Sequence, residues 1–176
     1  MRQWHKTLAP VLCFLVVSCA PTALADAGRE SGTDRERIAR VIDDSIGWFE
    51  TKDFDLLFST MAHDPDLFMF QPGSTGTIHG FEQFEEFSVI WRDPDTMYAS
   101  HEVRDLRIHL SSSGDVAWFS AILEDCGEYK GQAGCWEDTR WTGVLERRDD
   151  RWVIMQMHFS FAADKVREKL EKRARE

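Results

Sequence analysis

Hydrophobic positions recur along this chain with two different periods, and the change comes near its middle. Ile38, Val41, Ile42, Ile46 and Phe49 fall three and four residues apart, which predicts one apolar face of a helix over 34–51, capped by Thr33 or Asp34. Asp53 can cap a second, short helix with Phe54, Leu57, Phe58 and Met61 inward, and Pro65 bars its continuation. Leu67 to Phe70 is too short for a helix and reads as a strand. A turn at Pro72, Gly73 and Gly76 returns the chain to a second short strand over 77–79. Phe81, Phe84, Phe87, Val89, Ile90 and Trp91 mark a third helix over 81–91, ended by Asp93-Pro94-Asp95.

From Met97 onward the pattern alternates. Val103, Leu106, Ile108 and Leu110 do so imperfectly. Ser112 to Asp115 is a turn, 116–129 a long strand, the glycine-rich stretch around Gly131 a reversal, 136–147 the next strand, Asp149-Asp150 a turn, and 152–161 the last strand. Ala163, Val166, Leu170 and Ala174 give the charged segment 162–176 a thin apolar stripe, so a terminal helix is expected. Helices first and long strands after predict an α+β domain: three helices on one face of a strongly curved antiparallel sheet, with a hollow between the layers.

Composition adds a leader. Arg2 and Lys6 precede the apolar run from Leu8 to Val17, and small residues follow, which is the pattern of an export signal over 1–25 with a flexible lead-in over 26–33. Ala23-Leu24-Ala25 fits simple cleavage. Val16-Val17-Ser18-Cys19 fits a lipobox, and a membrane attachment would follow only if Cys19 were lipidated. Either route leads out of the cytoplasm, to the periplasm or beyond. Without residues 1–25 the net charge moves from −10 to −12, since that stretch holds Arg2, Lys6 and no acid. Such a body repels phosphate backbones, so no nucleic-acid partner is expected. Cys126 and Cys135 flank the glycine-rich turn, and in an oxidising compartment they read as a disulfide. Two thiols without a nearby histidine cannot close a zinc shell, so no metal site is expected.

Several blocks resemble the SnoaL-like domains of the nuclear-transport-factor-2-like superfamily. They are Trp48-Phe49, His63-Asp64, Ile78 to Phe81, Gly114 to Trp118, Arg140 to Glu146 and Arg151 to Ser160. The final strand, running from a tryptophan to His-x-Ser, is also similar to the association domain of calcium/calmodulin-dependent kinases. The likeness covers 34–161 and implies a cone around one pocket. It does not imply a single activity, because relatives include isomerases, dehydratases, cyclases, transport factors and assembly modules.

Strict alternation on the last strand puts Gln156, His158 and Ser160 on one face, below Trp152 and Ile154, and puts Val153, Met155, Met157, Phe159 and Phe161 on the other. His158 fits a proton carrier in the pocket or a structural imidazole. Arg140, beside Thr142, fits a carboxylate receiver or a partner of Glu124 or another acid nearby. Asp64 fits a general base if burial raises its pKa, or a turn residue before Pro65. His101 and His109, eight residues apart, read as surface or packing residues. With Trp118 these define the expected ligand pocket: Trp118, Arg140, Thr142, Gln156, His158 and Ser160. Three functions follow as expectations: binding of a small, partly apolar molecule, a cofactor-free isomerase or lyase using His158 and Asp64, or a homodimerising module using Met155, Met157, Phe159 and Phe161. The tyrosine that ketosteroid-isomerase or scytalone-dehydratase chemistry would need is missing from the matching place. There is no H-E-x-x-H, G-x-S-x-G, phosphate-binding loop or dinucleotide fingerprint to support a cofactor.

Overall fold

A computed structural model describes residues 32–73 and 76–175. The expected leader, with Cys19 and both processing routes, and most of the lead-in lie outside the described residues. The order is α1 (Asp34–Gly47), a 3-10 turn (Trp48–Glu50), α2 (Phe54–Thr60), β1 (Phe68–Phe70), β2 (Thr77–His79) and α3 (Gly80–Ser88). A second 3-10 turn (Val89–Arg92), β3 (Thr96–Leu110), β4 (Val116–Tyr129), β5 (Gln132–Arg148), β6 (Arg151–Ser160) and α4 (Ala163–Arg173) complete it.

Thr33 is the cap of α1: its hydroxyl accepts from Glu36 N–H while the Glu36 carboxylate accepts from Thr33 N–H at 2.7 Å, a closed capping box. Asp53 caps α2 through Leu56 N–H at 2.9 Å. The buried stripe of α1 is Ile38, Ile42 and Ser45, which lies against β3 and β6.

The six strands form one sheet in the order β2-β1-β6-β5-β4-β3. The sequence predicts an antiparallel sheet. Four of its five pairings obey, but β1 pairs with β6 in parallel, Met69 opposite Met157, so the sheet is mixed. The reason is connectivity: β1 enters from α2 rather than from a hairpin with β6, and Met61 already bridges Ile154 in the same parallel sense.

Strand irregularities give the sheet its curl. Register breaks lie between Arg104 and Arg107 on β3, between Leu123 and Asp125 on β4, and between Val144 and Leu145 in the β5–β6 pairing. Asp105 and Asp138 adopt positive φ within β3 and β5. Each break bends its strand and raises the local twist. The breaks at Asp105, Glu124 and Asp138 cross three neighbouring strands, and Arg104 holds the outside of that bend, donating to Glu124 at 2.5 Å and Asp138 at 3.0 Å. On one side of the bend the sheet packs directly on the helices. Beyond it, the arms of β3, β4 and β5 lean over them.

The core fills the near side. Trp141 is fully buried, edge-on to Phe119 at 5.0 Å and stacked on Phe159 at 5.5 Å. Gly143 makes room for this: a Cβ there would sit 2.5 Å from the Phe119 ring and 2.6 Å from Gln156 O.

One ion cluster ties the start of α1 to the β5–β6 hairpin. The Asp34 carboxylate accepts from Arg147 at 2.5 Å, from Trp152 Nε1 at 3.3 Å, and from Arg37. Partial burial pushes this carboxyl up, but the Trp152, Arg37 and Arg147 donors outweigh it and hold its pKa below the usual aspartate value. A folded value below the unfolded one gives stability that is present above about pH 4 and lost as pH falls through the folded value. Asp34→Asn should therefore flatten the acid limb of stability. Urea midpoints between about pH 2 and 5 check it, and an unchanged slope would show that Asp34 is not a stabilising anion.

Candidate functional site

The hollow exists, and its volume is about 580 Å³. Three elements wall it. The helical side gives Trp48, Phe49, Leu57, Met61, Phe84, Phe87 and Trp91; the strands at its base give Met69, Met157 and Phe159; the arms beyond the bend give Met97, Asp125 to Tyr129 and Gly134 to Trp136. Sequence order explains the arrangement. The helices bring their apolar faces to the sheet, and the bend lifts the strand ends so that they meet the helical side along the β3 edge, through His101 to Asp43 and Tyr98 to Phe49, and leave a hollow elsewhere.

The aromatic wall is continuous. Trp48 contacts Phe49, Phe54 and Trp91 with ring centres 4.9 to 5.4 Å apart, and Trp91 contacts Phe87 at 5.3 Å. Cys126 and Cys135 are directly opposed on β4 and β5, their Cα atoms 4.1 Å apart, and are joined as a disulfide. The bridge belongs to the cavity wall.

The residues expected to line the pocket do come together, but on the opposite face of the sheet. Ser120, Thr142, His158 and Phe70 form one row across β4, β5, β6 and β1. Trp118, Val144 and Gln156 form the next row, and Arg140 opposes Ser160. Trp118 is 48% exposed and stacks on His109 at 5.7 Å. His158, Arg140 and Thr142 are exposed, Gln156 and Ser160 half-buried, and none of the six lines the cavity. The cause is an extra residue in β6. Val144 opposes Gln156 while Leu145 opposes Ile154, so Met155 has no partner on β5 and the alternation flips there. Ile154 consequently faces inward with Met157 and Phe159, and Gln156, His158 and Ser160 face outward. This also removes the apolar set Met155, Met157, Phe159 and Phe161 as an exposed dimer face, because Met157 and Phe159 are 2% and 3% exposed.

Asp64 sits between α2 and β1, outside the cavity. Its carboxylate accepts from Arg148 at 2.6 Å and from Asp66 N–H at 2.7 Å. The Arg148 hydrogen bond, then that of Asp66, holds its pKa below the ordinary value, the wrong direction for a base working near neutrality. His158 lies seven residues, roughly 23 Å of strand, beyond Arg151, the partner of Arg148. The two do not form an acid–base pair. Arg140 does not pair with Glu124, which Arg104 takes. His101 and His109 face opposite ways despite their even spacing, because the break near Asp105 lies between them. His101 contacts Tyr98 and Asp43 of α1, while His109 is on the outer face.

The polar residues of the cavity, Ser45, Gln71, Thr96, Asp125, Glu128 and Gln132, escaped the sequence reading. Asp125 continues the inward series Ala117, Phe119, Ala121 and Leu123 at a spacing of two, which is the signal that could have found it. Burial pushes its carboxyl above the usual range, against the opposing charge of His101. Among the described residues no group of three or more His, Cys, Asp or Glu side chains is placed to hold a metal ion.

A family model for the SnoaL-like domain matches residues 38–164. No curated protein matches the chain. Solved structures share the fold at low identity. An NTF-2 like protein of unknown function from Shewanella oneidensis is 14% identical, with a TM-score of 0.57, over 73% of this chain and 100% of that one. An NTF2-like protein of unknown function from Prochlorococcus is 16% identical, with a TM-score of 0.59, over 77% and 99%. An NTF2-like protein from Cytophaga hutchinsonii is 18% identical, with a TM-score of 0.59, over 74% and 100%.

Proposed function

The chain belongs to the SnoaL-like domain family, and from that premise we propose that it is an exported binding protein that encloses a small, partly apolar molecule in its cavity. The observation that carries this reading is the cavity itself. About 580 Å³ is the size of a small-molecule site, and its walls are tryptophan, phenylalanine and methionine with few polar groups. Export is supported by the basic and apolar N-terminal pattern and by the Cys126–Cys135 bridge, a bond that persists in oxidising compartments. Among the described residues no helix is long and apolar enough to cross a membrane.

Trp48, Trp91 and Trp136 line the cavity, so occupancy has an optical readout. An apolar fluorescence quencher of suitable size should quench tryptophan emission saturably. At 100 times its dissociation constant it should also stabilise the fold by about 2.7 kcal/mol. Flat emission and an unmoved melting temperature across a graded series of such quenchers would remove the reading.

A further inference from the structure

We propose that the cavity selects a cationic ligand, an apolar body carrying a protonated amine, and that Asp125 is the seat of its ammonium group. This rests on the cavity being the binding site. Asp125 lines the cavity, and no hydrogen bond reaches its carboxylate among the described residues. Its neighbour across the ladder is His101, but both ring nitrogens of His101 are engaged elsewhere: Nδ1 with the Tyr98 hydroxyl at 3.0 Å, Nε2 with Asp43 at 3.3 Å. Of the residues around the cavity, Asp125 and Glu128 are acidic, and none is Lys, Arg or His.

A carboxylate inside an apolar wall is costly unless it meets a donor. Burial raises the Asp125 pKa, which is the electrostatic sign of that cost in the free protein. A bound ammonium would remove it through a charge-assisted hydrogen bond. Trp48, Trp91 and Trp136 line the same cavity, and aromatic rings attract cations at their faces. A carboxylate or phosphate ligand meets the reverse: an acid in the wall and no base to receive it.

Three matched probes test this at pH 7: 2-naphthylethylamine, 2-naphthylethanol and 2-naphthylacetate, titrated calorimetrically against wild type, Asp125→Asn and Glu128→Gln. The amine should bind wild type about tenfold or more tighter than the alcohol, and the acetate should not bind. In Asp125→Asn the amine and alcohol should become equal, the alcohol affinity should be unchanged, and the free variant should melt above wild type. Equal binding of amine and alcohol to wild type overturns the charge inference while the cavity reading stands. An amine preference that survives Asp125→Asn, or disappears in Glu128→Gln instead, overturns the assignment to Asp125. Binding of none of the three removes the cavity reading and this inference with it. If Asp125→Asn does not fold, the amine-to-alcohol ratio in wild type still decides the question of charge.

Discussion

Trp141→Ala should lose about 3–5 kcal/mol of folding stability, the largest effect of any single truncation expected here. Trp141 has no exposed surface and lies on the near side of the bend, between Phe119 and Phe159, where the sheet has no cavity to collapse into. Its neighbours are locked in turn. The Phe119 ring rests over Gly143, and Phe159 also packs on Trp136 at 5.5 Å. A void left there is refilled only partly, so the cavity cost adds to the lost transfer energy. Trp141→Phe separates packing from polarity. The indole N–H of Trp141 has no hydrogen-bond partner among the described residues, so phenylalanine removes an unsatisfied group while keeping a ring. Urea unfolding of both variants checks this: alanine should cost severalfold more than phenylalanine. Against a total of about 5–15 kcal/mol, an alanine variant within about 1 kcal/mol of wild type would show that Trp141 does not organise the core.

Opening the Cys126–Cys135 bridge, by reduction or as the double Cys→Ser variant, should cost about 2.7 kcal/mol in the chain-entropy model for a loop of this size. A chain of this length should melt about 10 °C lower. The effect should be local in a way that the tryptophan effect is not. The bridge lies beyond the bend, in the cavity wall, with the core on the other side. Hydrogen exchange should therefore speed up over 125–136 first, while the amides around Trp141 keep most of their protection. Uniform loss of protection would mean that the arm and the core unfold as one unit. Probe affinity should fall with the bridge open, because the wall that carries Asp125 is then free to move.

Where local chemistry decides, the chain is transparent. The cap at Thr33, the second helix after Asp53, both ends of the strand over 116–129 and the cysteine pair are all legible from residue type and spacing. The start of β5 is less so. Gly131 to Cys135 reads as a loop, yet Lys130-Gly131 makes a tight turn with positive φ and the ladder resumes at Gln132. The parallel pairing of β1 with β6 has no local signature, since it joins segments nearly ninety residues apart.

The site was half legible, and for one physical reason. Strand faces are counted in twos, and a single unpaired residue reverses every face after it. Met155 is that residue on β6. It puts Ile154 on the face of Met157 and sends His158 and its companions to the outside. Trp118, Thr142, Gln156 and His158 lie together on one face of the sheet, and it is the face turned away from the cavity. Asp125 follows from the same count on β4, because the extra residue at the break beside Glu124 is on β5 and the two-residue series from Ala117 still reaches it. Nothing in its residue type sets it apart from the other acids of an acidic chain.

The bend clasped by Arg104 sets off the far ends of β4 and β5, a part of the cavity wall that adds little to the buried core. The packing around Trp141 lies behind the bend, and the hairpin tip at Lys130-Gly131 lies in front. A residue added to each arm lengthens the wall by about 3.4 Å and swaps which side chains look inward. Two per arm add about 7 Å and keep the pattern. Ligand size can therefore be adjusted at this tip in even steps, by evolution or by design, without a single substitution in the interior that makes the protein fold.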